Sequence, residues 1–265
     1  MRIWIQSGSA LTQGAGAAGF GYGSAYEESL KRHFRKVARP DTVVEAHGIE
    51  GSPVGKDRYY ASQHLVLTMM IRSAFRAKRE GYDVVAVSNT IDPGYHEFRE
   101  AIDLPVVFIT ESSILTACFL APTFAFIAHN PAMLRRVGDL ARRYGVAERM
   151  TEGGCLHLTY DDFVKMYAEP EAYTRRFVQE AARVIERGAE TLLVVGNAVN
   201  MFLVDHGVKE VEGVPVLDVC GTMIKSAEMM VDLARMGISR SSKGRYPAPS
   251  KDEREQLGKL YGVES

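Results

Sequence analysis

Two apolar runs of the same design constrain this chain most: each begins after a glycine and an acid and ends in asparagine. The first is Gly81-Tyr82-Asp83 followed by Val84-Val85-Ala86-Val87-Ser88-Asn89-Thr90. The second is Gly188-Ala189-Glu190 followed by Thr191-Leu192-Leu193-Val194-Val195-Gly196-Asn197-Ala198. A basic, helix-like segment precedes each copy. Unbroken β-branched runs of this length predict strands buried on both faces, as in a parallel sheet covered by helices. Both asparagines then stand at a strand's carboxyl end, where open α/β sheets place their ligands. They are 108 residues apart, at positions 89 and 197. That spacing predicts two similar half-molecules, each giving one asparagine to a shared cleft.

The rest of the chain repeats the alternation, which argues for parallel sheets with crossover helices. Strands are expected near 2–6, 42–46, 83–88, 105–109, 123–128, 191–196 and 214–218. Helices are expected near 22–38, 60–80, 112–120, 131–144, 170–188 and 221–236. The fold class is therefore α/β, two pseudo-symmetric Rossmann-like lobes with a cleft between them. Residues 1–114 plus 221–265 are expected to form the first lobe and 115–220 the second, with the polar tail after Ser239 lying along the surface or against a neighbouring subunit. At 265 residues each lobe can bury its own core.

A net charge of −1 gives no electrostatic reason to expect nucleic acid or an anionic membrane as partner. The opening Met1-Arg2-Ile3-Trp4-Ile5 reads as a first strand rather than a signal peptide, so the expected location is the cytoplasm. Cys118, Cys155 and Cys220 lack metal-ligand spacing and are too few for a disulfide framework. Free thiols are expected, buried and inert for Cys118 and Cys155. Cys220 opens a helix, a position that can lower a thiol's pKa.

Several strand ends carry polar groups suited to a small-molecule site. Ser7 and Ser9 follow the first strand and either offer donors to a carboxylate or amide or form a turn. Glu50 is solvated if its loop faces outward, or binds an amide N–H if the loop folds over the cleft. Ser88, Thr90, Gly196 and Ala198 flank the two asparagines and are candidate substrate contacts, as is Asp92. Glu111 opens a helix at the fourth strand's end and serves there either in capping or as a base beside substrate. His129 closes the strand at 123–128 and is the leading candidate for acid-base work among the seven histidines. His33, His64, His96 and His206 are expected on the surface. Asn130 before Pro131 reads as a helix cap that could also touch substrate. The run Gly14 to Gly19 matches a dinucleotide fingerprint, with Glu45 as the ribose-binding acid, but stands too far behind the first strand. Its other reading is a loop over the cleft mouth.

Taken together, these segments resemble the aspartate/glutamate/hydantoin racemase superfamily, and its hydantoin and allantoin racemase branch most. The likeness runs through Gly48-Ile49-Glu50-Gly51, Asp92-Pro93-Gly94, Leu104-Pro105-Val106 with Glu111, and Tyr144-Gly145-Val146 with Arg149. It continues in Gly188-Ala189-Glu190, in Val214 to Asp218 with Lys225 and Glu228, and in the closing stretch from Gly237 to Tyr246. The resemblance implies one active site between the lobes, a small-molecule substrate, no metal or organic cofactor, and a homo-oligomer. It also implies two cysteines on opposite faces of the substrate carbon, and the matching positions here are Asn89 and Asn197. An amide has no proton-transfer equilibrium near neutral pH. Two-thiol racemisation is therefore not expected. Lyase, hydrolase or isomerase chemistry is, with Asn89 and Asn197 as donors and Glu111, His129, Asp92, Cys220 or water moving the proton. A catalytically inactive binding protein on the same fold is the other reading.

Overall fold

The computed structural model describes residues 1–10, 23–51, 55, 59–240 and 249–263. The glycine run from Gly14 to Gly19 and the stretch from Ser241 to Tyr246 lie outside the described residues. The chain begins with β1 (Arg2–Ser7), α1 (Gly23–Val37), β2 (Val43–His47), α2 (Tyr60–Ala74), α3 (Arg76–Arg79), β3 (Val84–Ser88), α4 (Glu97–Ala101), β4 (Val106–Phe108) and α5 (Ile109–Leu120). It continues with β5 (Ala125–Ala128), α6 (Pro131–Arg143), β6 (Gly154–Cys155), α7 (Asp162–Ala168), α8 (Pro170–Glu186) and β7 (Leu192–Val195). The last elements are α9 (Asn197–Asp205), β8 (Glu210–Val211), β9 (Val214–Leu217), α10 (Val219–Arg235) and α11 (Lys251–Leu260).

Two sheets result, ordered β2-β1-β3-β4 and β6-β5-β7-β9-β8. All pairings are parallel except the β8–β9 hairpin. Set the hairpin strand aside and the second sheet repeats the first, with β5, β6, β7 and β9 in the places of β1, β2, β3 and β4. The two asparagine-terminated strands, β3 and β7, are thus equivalent, and every residue of both is buried.

Strand alternation divides the core. Ile3, Ile5, Val84 and Ala86 share one apolar cluster with Ile127, Leu192 and Val194 of the second sheet, whereas Trp4, Val85 and Val87 face α2 and α4. Phe124, Phe126, Leu193 and Val195 pack beneath α6. Each such side chain is worth roughly 1.5–3 kcal/mol relative to exposure, which holds the strand ends rigid. Although α10 follows the second sheet, it returns to pack on α5, β3 and β4.

The structure amends several expected elements. The helix expected at 60–80 divides at Phe75 into α2 and α3, and α5 starts at Ile109, which moves Thr110 and Glu111 into its first turn. Helix α9 escaped notice because Ala198 to Leu203 are all buried and show no amphipathic period. Within the polar tail, Ser250 and Glu253 form a reciprocal capping box that starts α11. Tyr261 just beyond it packs on Phe75, with ring centroids 5.5 Å apart.

Candidate active site

The parallel register sets the site. Ser7 pairs with Ser88 across β1 and β3, and Ala128 pairs with Val195 across β5 and β7. The residues that follow these strands therefore emerge side by side: Asn89 beside the turn after Ser7 in one lobe, and Gly196 with Asn197 beside His129 in the other. All of them line one cleft, partly open to solvent.

Local hydrogen bonds orient each group. Ser7 Oγ accepts from Ser9 N at 3.1 Å, so the turn reading and the cleft-lining reading hold together for these serines. Asn89 Oδ1 accepts from Ile91 N at 3.3 Å, and its amide nitrogen lies over Gly8, where a side-chain carbon would collide with it. Asn197 Nδ2 donates to Ser88 Oγ at 2.8 Å and to Ser88 O at 3.3 Å, bridging the lobes. His129 is buried, with Phe163 edge-on at 5.5 Å. Its Nδ1 stands 3.3 Å from the Val195 carbonyl, which can only accept. The neutral ring therefore carries its proton on Nδ1 and its lone pair on Nε2.

Gly196 makes this arrangement possible. Its φ of 116° is open to glycine almost alone, and an added Cβ would sit 3.2 Å from His129 Nδ1. Gly196→Ala is expected to cost about 1–3 kcal/mol in thermal unfolding and to displace the imidazole. Unchanged melting would show that the backbone relaxes freely there.

The cleft unites Ser7, Ser9, Ser88, Asn89, Thr90, His129, Gly196 and Asn197. Other candidates stand elsewhere. Asp92 is wholly buried and accepts from Thr110 N at 3.0 Å, Glu111 N at 2.8 Å and Tyr144 Oη at 2.6 Å. It caps α5 from outside the helix, and burial pushes its carboxyl up to about 7. Glu111 is taken by Tyr95 Oη at 2.6 Å and Arg99 Nη2 at 2.5 Å. Asn130 Oδ1 caps α6 by accepting from Met133 N at 2.9 Å, and Ala198 is packed inside α9. Glu50 is exposed in its turn.

Cys220 is corrected in the opposite sense from its helix-start position: complete burial raises its thiol well above the ordinary value. Cys118 and Cys155, expected buried, are part-exposed instead. None of the three cysteines lines the cleft. His33, expected on the surface, is buried with Nε2 2.6 Å from Asp218 Oδ2. Glu45 is bound to Arg2 and Tyr82 rather than poised for a ribose.

Sequence reasoning missed Tyr26 on α1, Gln63 and Val66 on α2, Met133 on α6 and Tyr160, all in the cleft wall. They reach it only through packing of helices and loops and carry no local signal. Among the described residues no cluster of His, Cys, Asp and Glu could hold a metal ion, and no helix is long and apolar enough to cross a membrane.

Comparison with known proteins agrees with this layout. Residues 23–227 match the family model described as Asp/Glu/Hydantoin racemase. A hydantoin racemase from Pseudomonas sp. (strain NS671) is 29% identical over 236 residues, covering 89% of this chain and 91% of the relative. Among solved structures, allantoin racemase from Klebsiella pneumoniae superposes with a TM-score of 0.76 at 19% identity, covering 94% of each chain. Allantoin racemase from Pseudomonas fluorescens gives 0.73 at 20% identity, covering 94% of this chain and 97% of the other. With the matched model spanning both lobes and the cleft between them, the chain belongs to the Asp/Glu/hydantoin racemase family of enzymes.

Proposed function

We propose that the chain acts on a small carboxylate, hydantoin-like or cyclic-amide substrate held in the interlobe cleft, by lyase, hydrolase or isomerase chemistry rather than two-thiol racemisation. In this reading Asn89 and Asn197 stand where the family's paired cysteines are matched. Asn89 is the donor toward an enolate or oxyanion as it develops, whereas Asn197, its amide nitrogen held by Ser88, lines the cleft beside the substrate. The proton passes to His129, since Asp92, Glu111 and Cys220 are spent on structure. The observation that carries the reading is a cleft wall holding both asparagines and an imidazole but no thiol. A homo-oligomer that works in the cytoplasm without cofactor belongs to the same proposal.

The test is turnover of a panel of hydantoins, malonates and cyclic amides by the wild-type chain, Asn89→Ala and Asn197→Ala. Loss of Asn89 as an oxyanion-type donor is expected to slow kcat by about 10²–10³. Equal rates in all three proteins would remove the asparagines from the mechanism. The missing thiols also favour a second reading, a binding protein that keeps the cleft without catalysis. Calorimetry showing tight binding of a metabolite recovered unchanged would select it.

A further inference from the structure

Asn89 stands one residue beyond the end of β3, so the loop that follows, and not the sheet, sets its orientation in the cleft wall. Two bonds fold that loop back on it: Ile91 N donates to Asn89 Oδ1 at 3.3 Å, and Asp92 N to Asn89 O at 2.9 Å. With Oδ1 taken by the loop, the amide nitrogen is left the opposite place, over Gly8.

The loop closes through Asp92, whose φ of 43° is left-handed. A residue other than glycine keeps that conformation only where its surroundings over-determine it. Four bonds do so. Asp92 Oδ1 accepts from Thr110 N at 3.0 Å, and Oδ2 accepts from Glu111 N at 2.8 Å and from Tyr144 Oη at 2.6 Å. Thr110 Oγ1 donates to Thr90 O at 2.8 Å. Three of the four come from the start of α5, in the same lobe as Asn89. Tyr144, at the end of α6, crosses from the second lobe.

Tyr144 is itself firmly held. Its N donates to Leu140 O at 2.9 Å, its ring lies 5.2 Å from that of Tyr95, and with Ile91 of the same loop it packs on the apolar cluster beneath α6. Burial, and then the Asp92 carboxyl beside it, push the phenol far above its ordinary value, so the hydroxyl keeps its proton.

We infer that Tyr144 is a positioning residue for Asn89: its hydroxyl, acting through the Asp92 carboxyl, lets the second lobe set the orientation of the amide that the first lobe presents to the cleft. Asn89 then keeps its place only while the lobes stay together, which ties the donor to a closed cleft. The coupling is a property of the free protein and rests on the proposed function only for its effect on turnover.

The chain has four asparagines, Asn89, Asn130, Asn197 and Asn200. Isotope-labelled asparagine therefore gives four side-chain amide pairs in an NMR spectrum of the full chain, each identified by substituting its residue. Tyr144→Phe removes one oxygen and keeps the ring. It is expected to shift the Asn89 pair while those of Asn130 and Asn200 stay in place. The backbone amides of Ile91 and Asp92 should exchange with solvent about tenfold faster, the effect of one lost buried hydrogen bond. Gly221 N, which donates to Asp218 Oδ1 at 3.0 Å at the start of α10, should keep its rate. A general loss of stability would speed all three amides alike. Asp92→Asn should shift the Asn89 pair as well, and adding Tyr144→Phe to it should move the pair no further, since the hydroxyl then has nothing to act through.

An Asn89 pair unmoved by Tyr144→Phe, faster exchange shared by Gly221, or a second shift in the double variant overturns the inference. If Tyr144→Phe does not fold, Asp92→Asn decides alone, and an unmoved Asn89 pair there overturns it too. Asn89→Ala turning over substrate as fast as the wild type would sink the proposed chemistry and leave the coupling standing. An Asn89 pair indifferent to Tyr144 in a protein that Asn89→Ala slows would do the reverse.

Discussion

His129→Gln is expected to turn over substrate about 10²–10⁴-fold more slowly than the wild-type chain, the usual worth of a positioned general acid or base. The substitution leaves an amide able to donate to the Val195 carbonyl, so the packing against Phe163 and β7 has a replacement partner. What is lost is a nitrogen that can take up and release a proton. KM should change little, and the limb of the pH–rate profile due to imidazole should vanish. A variant that retains both the wild-type kcat and its profile would take His129 out of the mechanism.

Asp92→Ala is expected to lower the free energy of unfolding by about 3–5 kcal/mol, read as a drop in the urea midpoint at unchanged slope. Its carboxyl is the hydrogen-bond partner of two backbone N–H groups at the start of α5 and of the Tyr144 hydroxyl from the second lobe. Alanine strands all three donors. The loop would loosen as well, because Asp92 N donates to Asn89 O at 2.9 Å and so ties the cap to the cleft. A shift below about 1 kcal/mol would mean that water or a neighbour replaces the carboxyl.

The same residue sets a pH dependence. Burial lifts the Asp92 carboxyl from 3.8 to about 7 in the folded chain, despite the hydrogen bonds that favour its charged form. The folded state therefore holds the proton more tightly than the unfolded state between those values. Its contribution to stability is complete below pH 4 and declines as pH rises to about 7. In wild-type minus Asp92→Asn stability differences this appears as a falling slope across that interval. A rising slope would reverse the assignment.

Strand-terminal positions were legible because parallel register depends on backbone pairing alone. Once β1, β3, β5 and β7 are read from their apolar runs, Ser7, Asn89, His129 and Asn197 must emerge at the same edges. What each side chain does there was less legible. Glu111 looked like a free base, but its partners Tyr95 and Arg99 stand 16 and 12 residues away and meet it only after α4 and the loop before it fold back. Asp92 was drawn inward by helix-start N–H groups whose position depended on α5 beginning at Ile109. Cys220 shows two effects in competition: a helix start favours thiolate, and total burial outweighs it. Gln63 and Tyr160 gave no signal because nothing in their own segments distinguishes a cleft-facing residue from any other half-buried one.

The return of α10 to the first sheet has a consequence for synthesis. Ile3 and Val84, near the start, share their apolar cluster with Met223, Ile224 and Ala227. As the polypeptide leaves the ribosome, the amino-terminal lobe must wait with that surface uncovered until Arg235 has emerged, while the lobe encoded between has every strand of its sheet earlier. The half translated first is thus the half completed last.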